Sequence, residues 1–292
     1  VTRSGFVALA GRANVGKSTL VNSVVGGKVS IVSDKPQTTR RAIRGVASGP
    51  DWQLVLVDLP GVQRPRDELT ERMQRRVGDE LGEADAAVLM INGEQGVGPG
   101  DRFIAGAVAE AGVPVVLAVN KVDLLDRSRT AAALAAAAEL VPAAEVFPIS
   151  ARTGGGVGPL LDHLVSLLPE GPFYFPAGTR SDQAAYVEIA ELVREQVLAR
   201  TRQEVPHAVE VQIDEVEHEA GVVRVRAFVW TETESQKGIL IGAGGRMIKS
   251  IGTSARHELE RHFGGRVYLD LSVRVRRRWR ADESLLDRLG ID

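Results

Sequence analysis

The 292-residue chain is 44% hydrophobic and 25% charged, holds no cysteine and has a formal charge of −2. That length and apolar content suit two packed domains, and the lack of cysteine excludes disulfides, thiolate zinc sites and cysteine nucleophiles, which fits a reducing, cytoplasmic setting. No apolar run approaches the roughly 18 residues of a membrane helix; Val1-Thr2-Arg3-Ser4 leads straight into a strand, so no secretory leader is expected and the initiator methionine is expected to be trimmed.

From Val1 to about Leu168, apolar runs alternate with helical patterns. Strands are expected at Phe6–Ala10, Ala42–Ala47, Leu54–Val57, Ala86–Ile91, Val115–Val119 and Val146–Ile149. Helices are expected from Thr19 and near Asp67–Leu81, Asp101–Ala111, Thr130–Leu140 and Val157–Leu168. The pattern predicts an α/β domain over 1–170 with a mainly parallel sheet, whose ligands sit beyond the C-terminal strand ends.

The first of those ends carries Gly11-Arg12-Ala13-Asn14-Val15-Gly16-Lys17-Ser18, followed by Thr19. Its glycines let the backbone wrap an anion, amides and a helix N-terminus supply positive partial charge, and Lys17 adds a full one. Ser18 offers a hydroxyl to magnesium. The polar, proline-interrupted stretch Val32–Arg40 reads as a mobile loop whose threonine reaches the same ion only while a γ-phosphate is present. After the third strand, Asp58-Leu59-Pro60-Gly61 supplies a carboxylate for magnesium and a glycine amide for the terminal phosphate; Val62, which follows, has no polar group to orient water. Asn120-Lys121-Val122-Asp123 places a carboxylate that can accept from N1 and N2 of guanine, a donor pair adenine lacks. A backbone amide of Ser150-Ala151 is positioned for the guanine carbonyl.

Pro169–Gly178, with three prolines and two glycines in ten residues, breaks all periodicity, and 171–181 is read as a linker. Its Phe173-Tyr174-Phe175 core is expected to pack. Over 182–292 the order is helix, strand Ala208–Ile213, strand Val222–Trp230, helix, glycine-rich turn, helix and strand Val267–Val273. The turn Gly242-Ala243-Gly244-Gly245, with Arg246 and Lys249 after it, permits close approach to about four nucleotides of single strand. Charge is segregated: Asp182–Glu234 carries 12 acidic and 5 basic residues, Arg246–Arg280 has 10 basic and 3 acidic, and the latter ends in Arg276-Arg277-Arg278. Such a basic segment suits a polyanion. Trp279 reads equally as a stacking platform or a packing anchor, and the five histidines show no metal-ligand spacing.

Gly11–Ser18, Thr38-Thr39-Arg40, Asp58–Gly61, Asn120–Asp123 and Ser150-Ala151 resemble the five ordered motifs of a small GTPase. The second half resembles a KH domain of the prokaryotic type II arrangement, smaller and α+β, although Ala243 and Gly244 stand where a basic residue often sits. With Pro36-Gln37-Thr38-Thr39-Arg40, the chain resembles the bacterial Era family almost end to end. The resemblance implies GTP and GDP as ligands at Gly11–Thr19, Asp58–Val62, Asn120–Asp123 and Ser150-Ala151. It also implies magnesium at Ser18 and Thr39 with Asp58 assisting, and catalysis by Lys17 and Thr39. Asn14 resembles the position that holds an activating potassium ion in related GTPases; bracing of the loop is the other reading. Slow intrinsic hydrolysis is expected from Val62. Partners implied by the resemblance are the 3′ region of 16S ribosomal RNA and the 30S subunit during ribosome assembly. A cytoplasmic monomer that associates peripherally with the inner face of the cell membrane is the corresponding expectation. The rivals are an ATPase or kinase on the same phosphate loop, and a GTPase whose C-terminal domain binds protein or membrane rather than RNA.

Overall fold

Contacts in the computed structural model, which describes every residue except Ala143, Gln203, Glu204, Ala220 and Asp292, divide the chain into two units. These are Val1–Pro65 with Thr70–Asp182, and Arg66–Leu69 with Gln183–Asp292. In chain order the first runs β1 (Arg3–Gly11), α1 (Lys17–Val25), β2 (Ile43–Ser48), β3 (Trp52–Asp58), α2 (Glu68–Glu83), β4 (Ala86–Asn92), α3 (Pro99–Glu110), β5 (Val115–Asn120), α4 (Arg127–Ala138), β6 (Val146–Pro148) and α5 (Val157–Leu167). Its sheet has the order β2-β3-β1-β4-β5-β6, parallel except where the edge strand β2 runs antiparallel to β3.

Strand periodicity sorts the apolar side chains into two cores. Val7 and Leu9 of β1 pack with Leu20 and Val21 of α1 and Leu160 and Leu164 of α5. Ala8 and Ala10, pointing to the other face, join Val77 and Leu81 of α2, Ile104 and Val108 of α3 and Ala137 of α4. Covered on both faces, β4 is buried along its whole length, which is why it reads as a continuous apolar run. Each fully buried Leu or Val, such as Leu9, Leu54 or Val88, contributes about 1.5–3 kcal/mol of hydrophobic stabilisation. The proline-rich stretch lies along this unit: the Gln53 side chain and the Phe175 backbone exchange two hydrogen bonds at 2.9 Å, and Tyr174 packs its ring 4.9 Å from that of Phe6.

The second unit contains α6 (Ala185–Arg200), α7 (Val205–Ala208), β7 (Glu210–Glu219), β8 (Val222–Thr231), α8 (Glu234–Ile241), α9 (Arg246–Phe263), β9 (Arg266–Val275) and α10 (Glu283–Leu289). Its sheet is β7-β8-β9, with β8 antiparallel to β7 and parallel to β9. The helix expected from Asp182 starts at Ala185. The turn that joins β7 to β8 passes Ala220, outside the described residues. Neither α10 nor the short turn Trp279–Ala281 before it was expected; both form because Trp279, Leu285, Leu286 and Leu289 are buried, and Asp282 caps α10 by accepting from the Leu285 amide at 3.0 Å. Trp279 is a packing anchor rather than an exposed stacking platform: it is fully buried and its Nε1 donates to the Ala208 carbonyl at 2.8 Å.

Candidate functional site

The strand order puts β1 between β3 and β4, so the loop after β1 opens beside Asp58 at the end of β3 and near Asn120 at the end of β5. There a cavity of about 470 Å³ is lined by Asn14, Lys17, Ser18, Thr39, Gly61 and Lys121, among others. Gly16 caps α1 at φ +103°, and a Cβ there would fall 2.2 Å from Asn120 Nδ2, so the loop closes only with glycine. The Lys17 ammonium is folded back, donating to the Gly11 and Arg12 carbonyls at 3.2 Å each. Burial pushes its pKa down against the pull of Asp58, and burial pushes the Asp58 carboxyl up against Lys17 and the hydroxyls of Ser18 and Thr39.

Ser18, Thr39 and Asp58 come together as one oxygen cluster. Ser18 Oγ donates to Asp58 Oδ2 at 2.6 Å and lies 3.2 Å from Thr39 Oγ1, which is 3.4 Å from the same carboxylate oxygen. Thr38 instead donates to the Lys35 carbonyl at 2.6 Å. Asp58 Oδ1 is buried with no hydrogen-bond partner. Two hydroxyls, a carboxylate and an orphaned carboxylate oxygen are a donor set that fits magnesium. Leu59 and Pro60 are buried, Gly61 faces the cavity, and Val62 packs against the second core of the sheet. Asn14, at φ +62°, donates from Nδ2 to the Asp34 carbonyl at 2.6 Å, tying the phosphate loop to the 32–40 loop.

At the end of β5, against the phosphate loop, the buried Asn120 is a brace. Its Nδ2 donates to the Val15 carbonyl at 2.7 Å, and its Oδ1 accepts from the Ala151 amide at 2.9 Å. Both amides of Ser150-Ala151, one of which was expected at a guanine carbonyl, are thus engaged within the protein: Ala151 N by Asn120, whose buried oxygen requires a donor, and Ser150 N by the Gly155 carbonyl at 2.7 Å. Lys121 adopts φ +67°, and the Val122 amide donates to the Ile149 carbonyl at 3.2 Å. Hydrogen bonds from Ser150 and from Arg152, whose Nη2 lies 2.7 Å away, lower the Asp123 carboxyl from its ordinary value. Arg152 escaped the sequence reading although it directly follows Ser150-Ala151. So did the partner of Arg12: its Nε pairs with the buried Asp101 at 2.9 Å, and Asp101 in turn caps α3 by accepting from Gly98 N at 2.8 Å.

In the second unit, α8 and α9 are joined by the exposed turn Ala243–Gly245. Gly244 sits at φ +60°, a left-handed conformation that accounts for glycine in place of a basic side chain. Arg246 donates to the Ala243 carbonyl at 3.2 Å, and Lys249 is exposed. Beside them a groove of about 350 Å³ runs between α9 and β9, lined by Lys249, Arg256, Tyr268 and Asp270. Arg276 turns away to an ion pair with Asp282, whereas Arg277 and Arg278 are exposed.

A family model described as 50S ribosome-binding GTPase matches residues 6–121, and one described as KH domain matches residues 204–280. The chain is 45% identical over 294 residues to GTPase Era of Mycobacterium avium, covering 99% of this chain and 98% of the relative. The chain belongs to the Era family of GTPases. As an Era-family enzyme it binds and hydrolyses GTP. GTPase Era of Mycobacterium tuberculosis is 44% identical over 98% of both chains. Two solved structures superpose at a TM-score of 0.96 and 33% identity: a single-site variant of Aquifex aeolicus Era bound to GDP and aluminium fluoride, covering 99% of each chain, and Era with MgGDPNP and nucleotides 1506–1542 of 16S ribosomal RNA, covering 100% of this chain and 99% of that one. These likenesses span the Era-type pairing of a P-loop GTPase domain with a KH domain.

Proposed function

We propose that the chain is a GTP-driven switch that binds the 3′ region of 16S ribosomal RNA and the 30S subunit during ribosome assembly. The carrying observation is that one chain holds both the Ser18–Thr39–Asp58 cluster and the Gly242–Gly245 turn with Ala243 and Gly244 exposed, and matches end to end a relative solved with MgGDPNP and 16S RNA. Ser18, Thr39 and Asp58 would hold magnesium, which when bound neutralises charge on the β- and γ-phosphates. Lys17, released from the Gly11 and Arg12 carbonyls, meets the phosphates; Asp123 reads guanine, and Asn120 holds both loops around the nucleotide. Thr39 belongs to the 32–40 loop, so gain and loss of the γ-phosphate moves that loop. With an apolar, half-buried Val62 packed against the core and no polar group there to orient water, intrinsic hydrolysis is slow.

Asn14 and the Asp34 carbonyl form one wall of the cavity, and turning the Asn14 amide places two oxygens toward a potassium ion beside the phosphates. Equal hydrolysis rates in potassium and sodium chloride would exclude that role. RNA binding is tested by fluorescence anisotropy of the full chain with a labelled 16S 3′ fragment, in GTP and in GDP. Gly245→Asp is expected to abolish binding, because it puts a carboxylate where the backbone must meet phosphate, at a position where a Cβ meets no neighbour, whereas at Gly242 it would fall 2.8 Å from Met247 Cβ. Retained RNA binding in that variant, or binding to anionic vesicles in place of RNA, would overturn the KH reading in favour of a protein or membrane partner. Binding to isolated 50S rather than 30S subunits would favour the large-subunit partner named in the family model's description.

A further inference from the structure

Val62 leaves the hydrolytic water without the usual side chain to orient it, and the structure offers another. Gln37, two residues before Thr39, lines the same cavity as Lys17, Ser18, Thr39 and Gly61. Its backbone is at φ +59°, a left-handed conformation that is strained for a non-glycine residue and that tends to persist where function requires it. Its Nε2 donates to Gln63 Oε1 at a long 3.4 Å. The outer atoms of this pair, Gln37 Oε1 and Gln63 Nε2, are both buried and have no hydrogen-bond partner. A buried acceptor and a buried donor left unsatisfied are costly, and movement of the 32–40 loop that lets water reach the Gln37 amide relieves that cost. The backbone of Gln63 is held in place: its main-chain N–H donates to Gln74 Oε1 at 3.0 Å, and Gln74 Nε2 donates to the Gly61 carbonyl at 3.1 Å.

We propose that Gln37 orients the attacking water through Oε1, with Gln63 as the positioning residue behind it, so that the loop carrying Thr39 supplies the group that position 62 lacks. In the step itself the water oxygen bonds to the γ-phosphorus and the bond from that phosphorus to the β–γ bridging oxygen breaks. GDP leaves with the electron pair, and the protons of the water end on phosphate and solvent. This rests on the GTP hydrolysis of the family and adds a residue to it. Because Gln37 comes from the switching loop rather than from the Asp58–Val62 segment, hydrolysis is coupled to the ordering of Thr39.

The test is single-turnover hydrolysis of GTP by the full chain, with GTP affinity measured separately on a non-hydrolysable analogue. Gln37→Gly suits the backbone at φ +59° and so removes the amide without threatening the fold. Its rate is expected to fall at least about tenfold while analogue affinity stays within about twofold, and Gln63→Ala is expected to lose a smaller factor, about two- to fivefold. An unchanged rate in Gln37→Gly overturns the assignment. So does a loss of rate matched by an equal loss of analogue affinity, which would make Gln37 a structural part of the loop.

Discussion

A carboxylate accepts two hydrogen bonds from guanine only while it is ionised, and Ser150 and Arg152 extend that range downward at Asp123. With the folded value depressed, its contribution is complete above the ordinary aspartate pKa and is lost only as pH falls through the lowered one. Preference for GTP over ATP in a competition assay is therefore expected to hold unchanged from about pH 7 to about pH 5. Asp123→Asn replaces one acceptor with a donor; affinity for GTP should drop at least about tenfold, with xanthine nucleotides gaining, since their second carbonyl matches the new amide. At this scale the sequence was most legible where chemistry is local. All the motifs but Thr38-Thr39-Arg40, which lies in the loop between α1 and β2, read in order because each follows a strand end. Arg12 and Asp101 did not, because partners 89 residues apart leave no local signature. Arg152 stood beside a recognised motif, but only its geometry shows that it faces Asp123.

Among the elements, α6 carries a charge cluster inside its apolar face. Arg194 is fully buried, 2.6 Å from Glu191 and 3.6 Å from Glu210 on β7. Arg194→Ala strands two buried carboxylates and is expected to cost about 3–5 kcal/mol, read from denaturant unfolding by tryptophan fluorescence. The exposed Arg277 and Arg278 behave oppositely. Replacing either by alanine should leave stability within about 0.5 kcal/mol, while each RNA phosphate no longer neutralised flattens the slope of log affinity against log salt by about 0.7. Long apolar patterns made α6 and the strands readable in the sequence. The seven-residue α10 was not, since a helix this short has too few turns to show a period, and it owes its form to burial and to the Asp282 cap.

Across the whole chain, the near-zero net charge conceals an acidic stretch over α6–β8 and a basic one from α9 onward. The order of strands and helices was legible because a sheet covered on both faces turns each strand into an unbroken apolar run. The antiparallel pairing of β2 was not, since a half-buried edge strand reads the same in either direction. One contact joins distant parts of the nucleotide cavity: Asn120 spans from the Val15 carbonyl to the Ala151 amide. The phosphate loop and the loop after β6 are thereby tied together through one side chain. Asn120→Ala should consequently weaken inorganic pyrophosphate, a ligand with no base at all, and calorimetry of pyrophosphate binding checks it. Grip on the phosphates is then set in part by a side chain that lies outside the phosphate loop itself.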